Sequence, residues 1–349
     1  MVDAGAIYSL KLCLQEPELT LKRIAASALS DIAKHSPELA QAVVDEDCVV
    51  HLAPLISHHD AKLKRQVTSA LGQISKHSVD LAEVVVEAEI FPKILFLLKD
   101  QDLYVRKNAA TCIREIAKHT LELAKLIVNA GGAAAMVDYV SDVSGNFRLP
   151  GIMTLGYLSA FSETVALSVI LAKGIAPLKD ALVNEEEDYI RSASAWSLGQ
   201  IGRHTSEHAR EVAQAGVFRH LLEFYVSPDS SEDLKTKCKR ALKSVIMKCT
   251  YLEALESLVS VNTPMNIVTY VVDQYRKVLP NSVDEKKQFV QCGGYKRLQE
   301  ISAKAQPGSK LTEYIAEINS CYPEDVRRFY NPNMATKLLD DIDKYGGAH

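Results

Sequence analysis

The residues in this sequence whose types could do chemistry recur at a fixed interval. The tripeptides Lys34-His35-Ser36, Lys76-His77-Ser78, Lys118-His119-Thr120 and Arg203-His204-Thr205 each set an imidazole between a cation and a hydroxyl. Imidazole binds metals and titrates near neutral pH, so a repeated His invites a metal or acid–base reading. Spacing decides against both. If each tripeptide ends one helix of a stack, successive copies lie roughly 10 Å apart, whereas a zinc ligand sits about 2 Å from its ion. The structural reading is that each His closes one helix, where a cation suits the helix dipole, and each Ser or Thr caps the next. No Gly-rich phosphate loop, GxSxG elbow or HExxH motif is present. His58-His59-Asp60 reads as a solvated turn. The seven cysteines (Cys13, Cys48, Cys112, Cys238, Cys249, Cys292, Cys321) are scattered without a CxxC pair, the pattern of reduced thiols. The sequence argues against an enzyme and implies no metal or cofactor.

The elements that position these residues are repeats. Residues 28–45, 70–87 and 112–129 are near copies, with looser copies from Thr154, Ser197 and Ala241. The aligned marker His35, His77, His119, Phe161, His204, Cys249 advances by 42, 42, 42, 43 and 45 residues. A fixed period of this size is the signature of stacked structural units. In the unit 36–77, Ser36-Pro37 starts a first helix, a second spans about 49–56, and a third spans about 61–76. On the third helix Val67, Ala70, Leu71 and Ile74 form one buried stripe. Three helices with the longest last is the layout of an armadillo repeat, so the expected fold is an all-α, right-handed armadillo superhelix. Gly5, Gly131, Gly174 and Gly216 fall where the first helix turns into the second through a left-handed residue; Asp47 and Glu89 replace Gly in two copies.

Complete units are expected at 36–77, 78–119, 120–161, 162–204 and 205–249. Residues 3–35 hold a second and third helix without a first, and a stack should not begin on a bare core-facing half-repeat, so the native chain is expected to extend beyond Met1. The domain reading is repeats over 1–259, then a divergent repeat and helical cap over 260–349. That tail is expected to contain helices at 264–279, 309–319, 323–329 and 333–345, with a weak repeat echo at 289–301. Together with Tyr251 just before it, the tail holds eight of the fourteen tyrosines, seven of them within 260–349, and these suit a cap over the last hydrophobic face better than a docking surface.

Composition is that of an ordinary globular chain, 47% hydrophobic and 24% charged. The net charge of -4 supplies no global attraction to nucleic acid or anionic membrane. No apolar run is long enough to span a bilayer, and the first ten residues lack a secretory pattern, so an intracellular location is expected.

In armadillo proteins the third helices line a groove, and here their outer positions carry a basic ladder: Lys22 and Arg23, Lys64 and Arg65, Arg106 and Lys107, then Arg148 and Arg191. Such a ladder could hold an acidic, extended partner. The alternative is a solvated face with intrahelical ion pairs, and the two readings stand level. Trp196 and Gln200 resemble the Trp/Asn pair with which import carriers clamp basic peptides. The other copies place Ser69, Thr111 or Met153 there, and a groove of cations repels a basic peptide. A nuclear import adaptor is therefore the second choice.

Residues 21–45, 76–92, 114–132, 148–157, 195–213, 248–256 and 318–330 closely resemble the sperm-associated antigen six family, armadillo proteins of the central apparatus of motile cilia and flagella. The likeness is read over nearly the whole chain and corresponds to the C-terminal two-thirds of the family. It implies a non-catalytic scaffold of the axonemal central pair, required for motility. The implied partners are other central-apparatus proteins, microtubules and further copies of itself, with neither nucleic acid nor membrane among them. It carries over no contact residues.

Overall fold

The computed structural model describes residues 5–260 and 262–330, and all regular structure among them is helical. By contacts the chain forms two compact units, residues 1–201 and 202–349.

The first unit opens with α1 (Ala6–Gln15) and α2 (Leu19–His35), a second and a third helix. The next repeat comprises α3 (Pro37–Asp45), α4 (Cys48–Leu52) continued by a 3-10 turn over Ala53–Ser57, and α5 (Ala61–Ser75). Then come α6 (Val79–Glu87), α7 (Phe91–Leu97) and α8 (Leu103–Ala117), followed by α9 (Leu121–Asn129), α10 (Gly132–Asp142) and α11 (Leu149–Phe161). The unit closes with α12 (Glu163–Leu171), α13 (Ile175–Asn184) and α14 (Asp188–Gly202). The third helices pack in series, α2 on α5, α5 on α8 and α8 on α11, burying the stripe that includes Leu29, Leu71, Ile74, Ile113 and Leu155 completely. Each such side chain contributes roughly 1.5–3 kcal/mol of burial.

The hydroxyl after each marker starts the next helix as expected. Ser36, Ser78, Thr120 and Ser162 accept the backbone N–H of Leu39, Leu81, Leu123 and Val165. The turns into the second helices differ from expectation at one point. Gly5 and Gly131 are left-handed, and so are Asp47 (φ 55°) and Glu89 (φ 54°), but in the fourth copy Lys173 (φ 65°) takes that conformation and Gly174 is right-handed. Gly174 has a separate reason to be small: a Cβ there would lie 2.7 Å from Val169 Cγ1. A left-handed L-residue costs roughly 1–2 kcal/mol, partly recovered by glycine's larger unfolded-state entropy. Glu89→Gly and Lys173→Gly are therefore each expected to stabilise the protein by about 0.5–1 kcal/mol, read as a higher urea midpoint.

The second unit continues with α15 (Ser206–Gln214), α16 (Val217–Val226) and α17 (Glu232–Ile246), a complete repeat whose junction residue is left-handed Gly216. Next come α18 (Leu252–Glu256) and α19 (Met265–Val278), with a 3-10 turn over Leu279–Asn281; this repeat has a short first helix and, among the described residues, no second. The region read as a weak echo is a further whole repeat. Ser282 caps α20 (Val283–Gln291), left-handed Gly293 leads into α21 (Gly294–Lys304), and Ser309 caps α22 (Lys310–Ser320), which packs on α19. A short α23 (Glu324–Phe329) follows. The helix expected at 333–345 lies outside the described residues. Tyr275, Tyr295 and Tyr322 are buried, with Tyr275 against Phe289 and Tyr295 against Tyr322 at ring-centroid distances of 4.8 and 4.5 Å, so these tyrosines serve the core.

Among the described residues no single helix is long and apolar enough to cross a membrane; α9 and α10 reach that length only as a pair bent by 77°.

Candidate partner-binding face

The basic ladder sits on the third helices and on the residues that lead into them, and most of it is already paired across repeats. Arg23 Nε donates to Asp60 Oδ1 at 2.9 Å, and Arg65 Nε donates to Asp102 Oδ1 at 2.8 Å. Asp60 and Asp102 are the N-cap residues of α5 and α8, so one carboxylate both caps its helix and anchors the arginine of the preceding repeat. Lys64 pairs with Asp100, and Arg106 reaches Asp142 at 3.5 Å. Arg191 pairs within its own helix, with Asp188 at 3.3 Å.

Arg148 departs furthest from a groove position. It is buried at 6% exposure, and its guanidinium donates to Val140 O at 2.9 Å, Glu185 Oε1 at 3.0 Å and Asp180 Oδ2 at 2.7 Å. Glu185 in turn accepts the backbone N–H of Gly145. Arg148 thus ties the entry of α11 to α13 and to the loop that follows it, out of reach of a partner. Lys22 and Lys107 carry no ion pair among the described residues; Lys107 lies over the Phe147 ring at 5.4 Å, and Arg65 lies over the exposed Tyr104 ring at 4.8 Å. The face is therefore a strip of paired charge with aromatic side chains between the cations, and neither a bare cationic groove nor a set of intrahelical pairs describes it.

The pairing was present in the sequence as an offset. Arg23 to Asp60, Arg65 to Asp102 and Arg148 to Glu185 are all 37 residues apart; for the first two this is the 42-residue repeat less the five residues by which each arginine follows the cap of its own helix. The Arg23 guanidinium, assisted by the Leu63 N–H, holds the Asp60 carboxyl down at about 2 against the tendency of burial to raise it. An unfolded aspartate titrates near about 3.9, so this pair stabilises the fold fully above that pH and the contribution is lost as pH falls through about 2. Arg23→Ala is expected to be less stable than the parent at pH 6, with the gap narrowing below pH 4; urea titrations at both ends of that window check it.

The marker histidines also bridge repeats. His77 Nε2 lies 2.6 Å from Ala33 O and His119 Nε2 lies 2.7 Å from Ser75 O. A carbonyl only accepts, so Nε2 carries the proton in both. Each of these two His lies two residues past the end of its helix, at Ser75 and Ala117, rather than in its last turn as the sequence suggests, and ties that end to the preceding third helix. His58 and His59 stack at 4.2 Å, and His58 Nδ1 accepts the Asp60 N–H, an arrangement internal to the turn. Among the described residues no group of three or more His, Cys, Asp or Glu could hold a metal ion.

Trp196 and Gln200 lie on α14, both half-buried. The indole is edge-on to Tyr157 at 5.1 Å and lies directly over Gly156, where a Cβ would come within 2.2 Å of Cζ3. Most of the ring is used in joining α11 to α14.

The sequence signature of the Armadillo/beta-catenin-like repeat matches residues 36–76, and that of the HEAT repeat matches residues 90–120. Sperm-associated antigen 6 of Mus musculus and of Homo sapiens are each 59% identical to this chain over 168 residues. That stretch is 48% of this chain, shorter than the near-complete likeness read from the sequence, and spans about a third (32%) of each relative. Among solved structures, a designed armadillo repeat protein superposes with a TM-score of 0.65 at 20% identity, over 68% of this chain and 98% of the other. An engineered protein reaches 0.69 at 19% identity over 94% and 82%. A further designed armadillo repeat protein, solved with the peptide (KR)4, gives 0.64 at 18% identity over 68% and 98%.

The chain is an all-α armadillo-repeat solenoid that resembles sperm-associated antigen 6. Armadillo repeats form a scaffold for protein binding, and the scaffold here is stiffened at successive steps of the first unit by an arginine, a lysine or a histidine reaching into the neighbouring repeat.

Proposed function

We propose that this chain is a non-catalytic structural scaffold of the axonemal central pair apparatus in cilia and flagella, joining other central-apparatus proteins to microtubules and to further copies of itself for motility. The observation that carries this reading is the 59% identity to sperm-associated antigen 6 over 168 residues. The cross-repeat pairing supports it physically, because a stack whose charges are satisfied internally keeps its shape under load. The division into repeats over 1–259 and a divergent repeat with a helical cap over 260–349 belongs to the same proposal.

Within it, Lys22 and Lys107 and the outer edges of Arg23 and Arg65 meet acidic segments of a partner, such as tubulin tails, while Tyr104 and Phe147 supply apolar contact. Arg148 acts only inside the scaffold. A soluble import-type adaptor stands second, resting on Trp196 and Gln200 alone.

Microtubule co-sedimentation of the purified chain tests the assignment. Salt-sensitive binding that weakens in Lys22→Glu/Lys107→Glu, with an unchanged circular dichroism spectrum, is the expected result. Failure to pellet with microtubules, together with absence of the tagged chain from isolated axonemes, would overturn it.

A further inference from the structure

Among the described residues one repeat of this solenoid has no second helix, and a cavity opens beside the short segment that stands in its place. The first and third helices of the complete repeats are joined by long segments, residues 215–231 in one and 292–309 in another; between α18 and α19 only 257–264 remain. In complete repeats the second helix packs on its own third helix, as α7 on α8, α10 on α11 and α16 on α17, and beside the next second helix, as α10 beside α13. The elements that would flank the missing helix are therefore α19 and α21. A cavity of about 290 Å³ lies between them, floored by Val259, Val268 and Ile301, with Met265 47% exposed at its edge. A second opening of about 410 Å³ borders the preceding repeat, between the α15–α16 junction and α18.

We propose that this vacant seat takes one amphipathic helix from a partner protein, completing the repeat in trans. Charge fixes the partner's pattern. Arg297, Glu300 and Lys304 line the cavity at i, i+3 and i+7 of α21, on one face. The docked helix carries an acid opposite Arg297, a base opposite Glu300 and an acid opposite Lys304, beside an apolar stripe over Val268 and Ile301. Arg297 already reaches Glu256 at 3.4 Å, whereas Lys304 is exposed and carries no ion pair among the described residues, so Lys304 is the sharper determinant. The proposal needs only the repeat architecture; the central-pair assignment can fail without it, and it can fail without that assignment.

The test uses the full chain and a fluorescent, side-chain-stapled helical peptide of about 14 residues, long enough for the span of a second helix. Its leucines stand at helical spacing, flanked by glutamate, lysine and glutamate in that order. Saturable anisotropy is expected, weakened about tenfold by Lys304→Glu and by Met265→Arg, and restored on Lys304→Glu when the peptide's facing glutamate becomes lysine. Both substitutions are at exposed positions, and circular dichroism confirms that the variants fold. No saturable binding to the parent chain, or binding indifferent to both substitutions, overturns the proposal. So does a concentration-dependent dimer in sedimentation velocity that Met265→Arg abolishes, since a second copy would then be the occupant.

Discussion

Arg148→Ala is expected to destabilise the protein by about 3–5 kcal/mol, the range for removing one partner of a buried ion pair. The reason is what stays behind. Glu185, at 9% exposure, would keep only the Gly145 N–H, and Val140 O would lose its donor. Lysine should recover little, because a single ammonium cannot reproduce a planar guanidinium that reaches three acceptors on α10, on α13 and in the loop after it. Arg148→Met/Glu185→Leu should recover much of the loss, since matched apolar side chains remove both charges together. Urea unfolding followed by circular dichroism gives all four values. A loss for Arg148→Ala no larger than that for Arg23→Ala would mean that Arg148 belongs with the partly exposed rungs of the ladder after all.

The contrast between these arginines shows where the sequence stops being informative. The 42-residue period, the Ser and Thr caps and the third-helix stripe depend on contacts within a few residues or on strict repetition, and each could be read off the chain. The fate of a cation could not, because it depends on what the next repeat presents. Arg23 and Arg148 occupy neighbouring registers of their repeats; one meets a capping aspartate at a half-open edge and the other is enclosed by α13. Left-handed Lys173 was hidden for a different reason: the adjacent Gly174 satisfies the sequence pattern, while the close approach of Val169 decides which residue turns. The repeat at 283–320 leaves only a weak trace in the sequence because its first helix, VDEKKQFVQ, holds few apolar residues and leaves only Phe289 buried, even though Ser282 and Gly293 mark its start and its junction.

Gly156→Ala is expected to destabilise by about 2 kcal/mol despite sitting inside a helix. Alanine's helix propensity favours the exchange by about 1 kcal/mol, and overpacking a filled interface opposes it by about 1–3 kcal/mol or more. Geometry decides which wins. The new Cβ would lie 2.2 Å from Trp196 Cζ3 and 2.4 Å from Ser197 Oγ, and Ser197 is itself held by Ile152 O at 2.9 Å, so α14 has little room to yield. Gly72 provides the control at the same repeat position: its Cβ would meet Cys112 Cα at 3.3 Å, a contact relieved by a few tenths of an ångström, so Gly72→Ala should be nearly neutral. Trp196 is the chain's sole tryptophan, which makes its emission a direct reporter. Gly156→Ala should shift that emission to the red while Gly72→Ala leaves it in place, and Gly156→Ala/Trp196→Leu should regain most of the lost stability. If Gly156→Ala instead left both stability and emission unchanged, the indole would be free to turn outward, and the peptide-clamping role set second for Trp196 and Gln200 would gain the ground that the scaffold reading lost.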